Sequence, residues 1–188
     1  MFKNNKQEIR TNYELALLEK AQKMIPQVPP LPWRQQTVRS ASGVIAAGWD
    51  SKENIILISS NSGYSINHSM TGERILRDRD TDRTENNIID RGLKFIIPES
   101  AEEIEIFGIE AGDGVHLTDE GWSLGVIYPW WPRASVIIDH VFVQGYEYLL
   151  NATMLDIPRL DGWIKCGFAP SGNQFMVIGS GGAVVYAK

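Results

Sequence analysis

The stretch Asp50-Ser51-Lys52-Glu53-Asn54-Ile55-Ile56-Leu57-Ile58-Ser59-Ser60-Asn61-Ser62-Gly63-Tyr64-Ser65-Ile66-Asn67 decides the fold. Its apolar run, Ile55 to Ile58, is rich in β-branched residues and closed on both sides by turn formers, which reads as strand, turn, strand. Asn61-Ser62-Gly63 reaches positive φ with little strain, so a hairpin is the natural connection. The same texture continues from Ser42 to the end of the chain, with short β-type runs punctuated by Gly, Asn, Asp and Ser. It predicts strands over Gly43–Ala47, Asn54–Ser60, Tyr64–Asn67, Leu93–Ile97, Ile104–Ile109, Gly114–Thr118, Ser123–Tyr128, Ser135–Val143, Trp163–Phe168, Gln174–Ile178 and Ala183–Tyr186. Tyr146–Leu155 is ambiguous between strand and helix. Thr71–Asp90, dense in both charge signs, reads as an exposed loop.

Upstream the period changes. Ile9, Tyr13, Leu17, Ala21 and Met24 recur at three- and four-residue spacing and predict a helix over Gln7–Ile25, with Thr11 and Glu14 at capping-box spacing. Pro26 ends it, and 26–36, with Pro29, Pro30 and Pro32, is expected to be an extended connector in which Trp33 straps the helix to the body. The expectation is therefore one α+β domain over 1–188, mainly antiparallel β: a helix over 7–25 packed on a β-rich body over 42–188 with hairpin connections. A minimal propeller-like fold or a β-sandwich is the alternative.

The body carries an internal similarity. Placing Gly48-Trp49 over Gly167-Phe168, an offset of 119 residues, aligns Asn54 with Asn173, Ile56-Leu57-Ile58 with Phe175-Met176-Val177 and Gly63 with Gly182 without gaps. Both segments resemble the inner hairpin of a β-propeller blade. Four to eight blades of roughly 40 residues each are usual, and this chain has room for a minimal propeller at most.

Composition narrows the class. The chain has 188 residues, 43% hydrophobic and 22% charged, which excludes collagen-like, mucin-like and wholly disordered readings. Its one cysteine, Cys166, cannot form an internal disulfide. No stretch approaches the roughly 18 consecutive apolar residues of a membrane span. The N-terminus has no apolar signal-peptide core, so a cytoplasmic location without membrane partners is expected. With 18 Lys+Arg against 23 Asp+Glu the net charge is -5, which argues against a nucleic-acid partner.

Catalytic and metal-binding patterns are missing. His68, His116 and His140 do not sit at spacings that put two ligands on one face, so neither zinc nor another cofactor is expected. Asp78, Asp80 and Asp82 begin like a calcium loop, but Arg83 and Ile89 stand where Gly and Glu are needed. Cys166, flanked by Ile164 and Phe168, reads as a small core hydrophobe. No nucleophile elbow or phosphate-cradling Gly loop with its Lys occurs.

Two features rise above this background. From Phe95 to Pro132 there is no Lys or Arg, against Glu99, Glu102, Glu103, Glu105, Glu110, Asp113, Asp119 and Glu120, whereas Met1 to Val44 carries seven basic and three acidic residues. Directly after the acidic segment comes Tyr128-Pro129-Trp130-Trp131-Pro132-Arg133, expected as a loop that exposes aromatic rings. A partner-binding surface made of Glu110, Asp113, Asp119, Glu120, Trp130 and Trp131 follows, the carboxylates steering and the rings anchoring. In overall character the chain resembles bacterial immunity proteins, and the resemblance implies an acidic face that covers a basic toxin surface. A carbohydrate- or peptide-binding module and an enzyme of unrecognised class are the rival readings.

Overall fold

The computed structural model describes residues 10–143, 147–160 and 162–188. It is mostly antiparallel β, with strands over 46% of the chain, one N-terminal helix and a curled sheet. After helix α1 (Asn12–Lys23) come β1 (Arg34–Ser40), β2 (Val44–Trp49), β3 (Ile55–Ser59), β4 (Gly63–Asn67) and β5 (Arg74–Asp78). A short helix α2 (Thr81–Asn86) precedes β6 (Ile88–Ile89), β7 (Lys94–Ile97) and β8 (Glu102–Gly108). Next are β9 (Trp122–Trp130), β10 (Arg133–His140) and β11 (Thr153–Met154), and the chain closes with β12 (Ile164–Phe168), β13 (Gln174–Gly179) and β14 (Gly182–Ala187).

Three sheets stack face to face. The middle sheet has four strands in the order β1-β14-β13-β12, and every residue of β13 and β14 is buried. On one face Cys166, Phe175, Val177, Val184 and Tyr186 pack with Trp33 and against Leu124, Val136 and Ile138 of the three-stranded sheet β11-β10-β9. On the other, Met176, Ile178, Ala183 and Val185 pack against Ala47, Trp49, Ile55 and Leu57 of the seven-stranded sheet β5-β4-β3-β2-β8-β7-β6. That sheet curls, so Ile56, Ile58, Tyr64 and Ile66 meet Phe95, Ile97, Ile104 and Ile106. Two-sided cover explains why Ile55 to Ile58 is continuously apolar rather than alternating.

The repeat is present in the pairing, with one correction. Trp49 pairs with Ile55, whereas Phe168 pairs with Phe175, so the second turn holds one more residue and β3 maps on β13 with an offset of 120. The gap-free alignment slips the middle strand by one residue, which would swap its faces. With the insertion, Ile56 and Ile58 match Met176 and Ile178, and Ile55 and Leu57 match Phe175 and Val177, each pair facing the same way along the stack.

Other expectations need revision. Helix α1 begins at Asn12 behind the Thr11–Glu14 capping box and ends at Lys23. Positions 7–9 of the predicted helix lie outside the described residues. Its stripe packs thinly: Ala21 and Met24 rest on Ile137 and Met154, while Tyr13 and Leu15 are 67% and 49% exposed. The connector ends earlier than expected, because β1 starts at Arg34 and pairs with β14; Trp33 is indeed buried. Thr71–Asp90 is no loop, since it forms β5 and α2. Arg83 bonds Asp78 at 2.9 Å and Glu99 at 3.4 Å, and the Tyr64 hydroxyl donates to Glu99. Gly114–Thr118 makes only isolated bridges, Val115 to Phe168 and Leu117 to Ser123. Of the ambiguous 146–155, residue 146 lies outside the described residues and only Thr153–Met154 is strand. Pro129 sits inside β9, not in a loop; β9 is the last strand of its sheet, and the Pro129 carbonyl accepts from Gln22 Nε2 at 2.8 Å.

Phe175 lies 4.5 Å from the Tyr186 ring and 5.0 Å from that of Trp33. Phe175→Ala should therefore cost about 3–5 kcal/mol, whereas Leu15→Ala should stay within about 0.5 kcal/mol. Midpoints of urea unfolding for the two variants check this contrast.

Candidate functional site

The seven-stranded sheet is wider than the middle sheet that covers it. Along β8, Glu103, Glu105 and Phe107 share the face opposite Ile104 and Ile106. Phe107, paired with Ala47, is under cover. Glu105 and Glu103 lie further out, where cover ends and both side chains are exposed to water. A cleft of about 670 Å³ opens there between β8, the β2–β3 turn and the β12–β13 turn. Trp49, Phe107 and Phe168 line it, the first two stacked at 5.8 Å and 27°. Asp50, Glu53, Glu102, Glu103, Glu105 and Asp113 also line it, and among the described residues no lysine or arginine does.

Neutral donors hold three of these six carboxylates. Asp50 Oδ1 accepts the N–H groups of Lys52 and Asn54 at 2.9 and 2.8 Å, which closes the β2–β3 turn. Glu102 accepts the Ser51 N–H at 2.6 Å, and Glu53 accepts Gln174 Nε2 at 2.9 Å, tying the two repeat-related turns together. Cations reach two of the six. Lys94 pairs with Glu103 at 2.6 Å. The hydrogen bond from the Lys165 ammonium holds the Asp113 carboxyl below its ordinary range. Among the described residues Asp50, Glu53 and Glu102 make no ion pair, and Glu105 stands opposite Lys94 across the β7–β8 pair.

The six residues singled out in the sequence divide into two groups. Glu110 is exposed just after β8. Asp113 is on the cleft, while Asp119 and Glu120 line a smaller adjoining recess that shares Val115, Phe168, Pro170 and Ser171 with it. Glu120 is paired with Lys188, whose ammonium also lies 5.1 Å from the centre of the Trp33 ring. Trp130 and Trp131 are 44% and 77% exposed at the β9–β10 turn, with the Trp131 ring 5.2 Å from that of Tyr128. Glu120 precedes β9 and Trp130 ends it, and eight steps of roughly 3.3 Å put the strand's ends about 26 Å apart. The carboxylates and the tryptophans thus form two surfaces. Asp50, Glu53 and the Trp49 wall had not been singled out. The repeat held a signal, since it made their turn equivalent to the one carrying Gln174.

The histidines serve local structure. His68 Nδ1 accepts the N–H groups of Met70 and Thr71, and His140 sits between the Trp122 and Phe142 rings at 4.7 and 5.6 Å. His116 Nε2 lies 3.9 Å from Cys166 Sγ but 3.1 Å from the Cys166 carbonyl oxygen, to which it donates. A nitrogen that donates its proton there cannot take one from the thiol. Among the described residues no group of His, Cys, Asp and Glu could hold a metal ion, and no helix is long and apolar enough to cross a membrane. No family model, curated protein or solved structure matches the chain.

Burial pushes the Cys166 thiol up to about 12. The unfolded chain ionises first, so this thiol contributes stability that is lost as pH rises from the ordinary thiol range toward that value. Iodoacetamide should label native Cys166 far more slowly than the urea-unfolded chain, and the urea midpoint should fall between pH 8 and pH 10 less steeply in Cys166→Ala.

Proposed function

We propose that the protein works by binding, as an immunity-type protein that covers a basic surface on a partner protein such as a toxin. The observation that carries this reading is the cleft lined by six carboxylates and, among the described residues, by no lysine or arginine, with Lys94 and Lys165 pairing to two of the six from outside the lining. It is continued by Glu110 and Asp119, which are exposed and, among the described residues, make no ion pair. Such a field accelerates encounter with a cationic partner and disfavours an anionic one. Asp113 and Glu120 contribute less to it, because Lys165 and Lys188 already neutralise them. Trp130 and Trp131 are the anchoring rings of the same reading. A partner that touches both them and the carboxylates must span about 26 Å, which an interface of roughly 800 Å² per partner accommodates.

The test is co-expression with the product of the adjacent reading frame, followed by binding kinetics at several salt concentrations. Surface charges are screened beyond about 8 Å at physiological ionic strength, so association should slow as salt rises. Glu105→Lys, Glu110→Lys and Asp119→Lys together should lower the association rate at least tenfold and flatten its salt dependence. Trp131→Ala should act on dissociation instead. A complex whose rates ignore all four substitutions would sink the assignment, and absence of any complex would remove the immunity-type reading.

A further inference from the structure

We propose that the cleft between β8 and the β2–β3 and β12–β13 turns takes a short, extended, basic segment of the partner's chain. An arginine or lysine side chain lies against Glu53, Glu102 and Glu105, and the segment's backbone meets Trp49. This deepens the reading of the protein as an acidic binding protein and rests on it.

Charge alone would suit any cation, but the walls are more selective. Trp49 is 6% exposed, lines the cleft, and its indole N–H has no acceptor. Gln174 is 5% exposed; its amide nitrogen holds Glu53 on the rim, and its Oε1 has no donor. An unpaired buried polar group is costly, so a ligand that offers a carbonyl to the indole N–H gains there, while Gln174 stands behind Glu53, outside the cleft's lining. A peptide group offers such a carbonyl. A metal ion or a polyamine has no acceptor for the indole, and an anion meets six carboxylates. The stacked Trp49 and Phe107 rings give the aliphatic stem of a basic side chain an apolar floor and its charge an aromatic face. The rim is set in advance: Asp50 closes its own turn, and Gln174 holds Glu53, whose backbone is left-handed at φ 60°.

The experiment uses the full chain with ¹⁵N-labelled tryptophan and follows the indole N–H signals by NMR, Trp49 being assigned from Trp49→Phe. The probes are a blocked pentapeptide with a central arginine between glycines and alanines, its citrulline counterpart, and spermidine. The arginine peptide should shift the Trp49 signal saturably, and citrulline should weaken binding at least tenfold. Glu102→Gln with Glu105→Gln should weaken it at least fivefold, whereas Glu73→Gln, on the turn before β5, should leave it unchanged. Spermidine binding as tightly as the peptide, a peptide that leaves the Trp49 signal in place, or no binding at all would overturn the proposal. The two readings fail separately. If the adjacent-gene product binds and ignores Glu102→Gln with Glu105→Gln, the cleft assignment falls and the binding-protein reading stands. If the peptide occupies the cleft and that product does not bind, the cleft assignment stands and the immunity-type reading falls.

Discussion

Strands β13 and β14 have no water on either side, and that two-sided burial governs the other layers. A sheet buried on both faces needs an apolar layer on each, and the neighbouring sheets supply them. Leu124, Val136 and Ile138 cover Phe175, Val177 and Val184, while Ala47, Ile55 and Leu57 cover Met176, Ile178 and Val185. Each covering sheet then has an outer face of its own to protect. At one end α1 and the segment around Leu149 lie over Ile137 and Met154; at the other, the seven-stranded sheet curls over itself around Phe95 and Tyr64. The stack therefore ends without closing into a ring. The Tyr186 hydroxyl, buried without a partner, has its ionisation pushed up by desolvation.

The same stacking places the cleft. A sheet of seven strands cannot be covered across its width by one of four, so part of the face carrying Ala47 and Leu57 must meet water. Residues on that strip are polar for this reason, and β8 reads Glu103, Ile104, Glu105, Ile106 because one side is core and the other solvent. Solvation explains polarity without explaining its sign. A strip needed only for solubility would be expected to mix both signs, yet here six carboxylates meet two lysines among the described residues, Lys94 opposite Glu105 on β7 and Lys165 on β12.

Local features were legible in the sequence. The Thr11–Glu14 box caps α1, Pro26 lies past its end, and the Ile55–Ile58 and Phe175–Ile178 runs form strands with a Gly-containing turn after each. What escaped is long-range or depends on cover. Thr71–Asp90 looked solvated because its charges were counted without partners; in the fold Arg83 bridges Asp78 and Glu99, a residue from a different turn. Pro129 argued against a strand, a rule that holds for central strands and not for one whose free side meets a helix. Of the site, Asp113 was legible from the acidic run. Asp50, Glu53 and Trp49 join it only through pairing of β2 with β8 and the bond from Gln174.

The carboxylates first singled out from the acidic run are unequal, and the difference is physical. Asp113 and Glu120 each fasten a loop to the middle sheet, the first through Lys165 on β12 and the second through Lys188 behind β14. Their charge is spent within the molecule. Glu110 and Asp119 make no ion pair among the described residues, Glu105 stands opposite the lysine that binds Glu103, and Glu53 and Glu102 accept from neutral donors that orient a carboxylate without cancelling its charge. A run of acidic residues in one segment thus resolves into a few that hold the loop in place and a few that project a field. Glu102, Glu103 and Glu105, together with Asp50 and Glu53 from a turn about 50 residues upstream, make the cleft wall negative, while the Asp113–Lys165 pair holds the loop beside it.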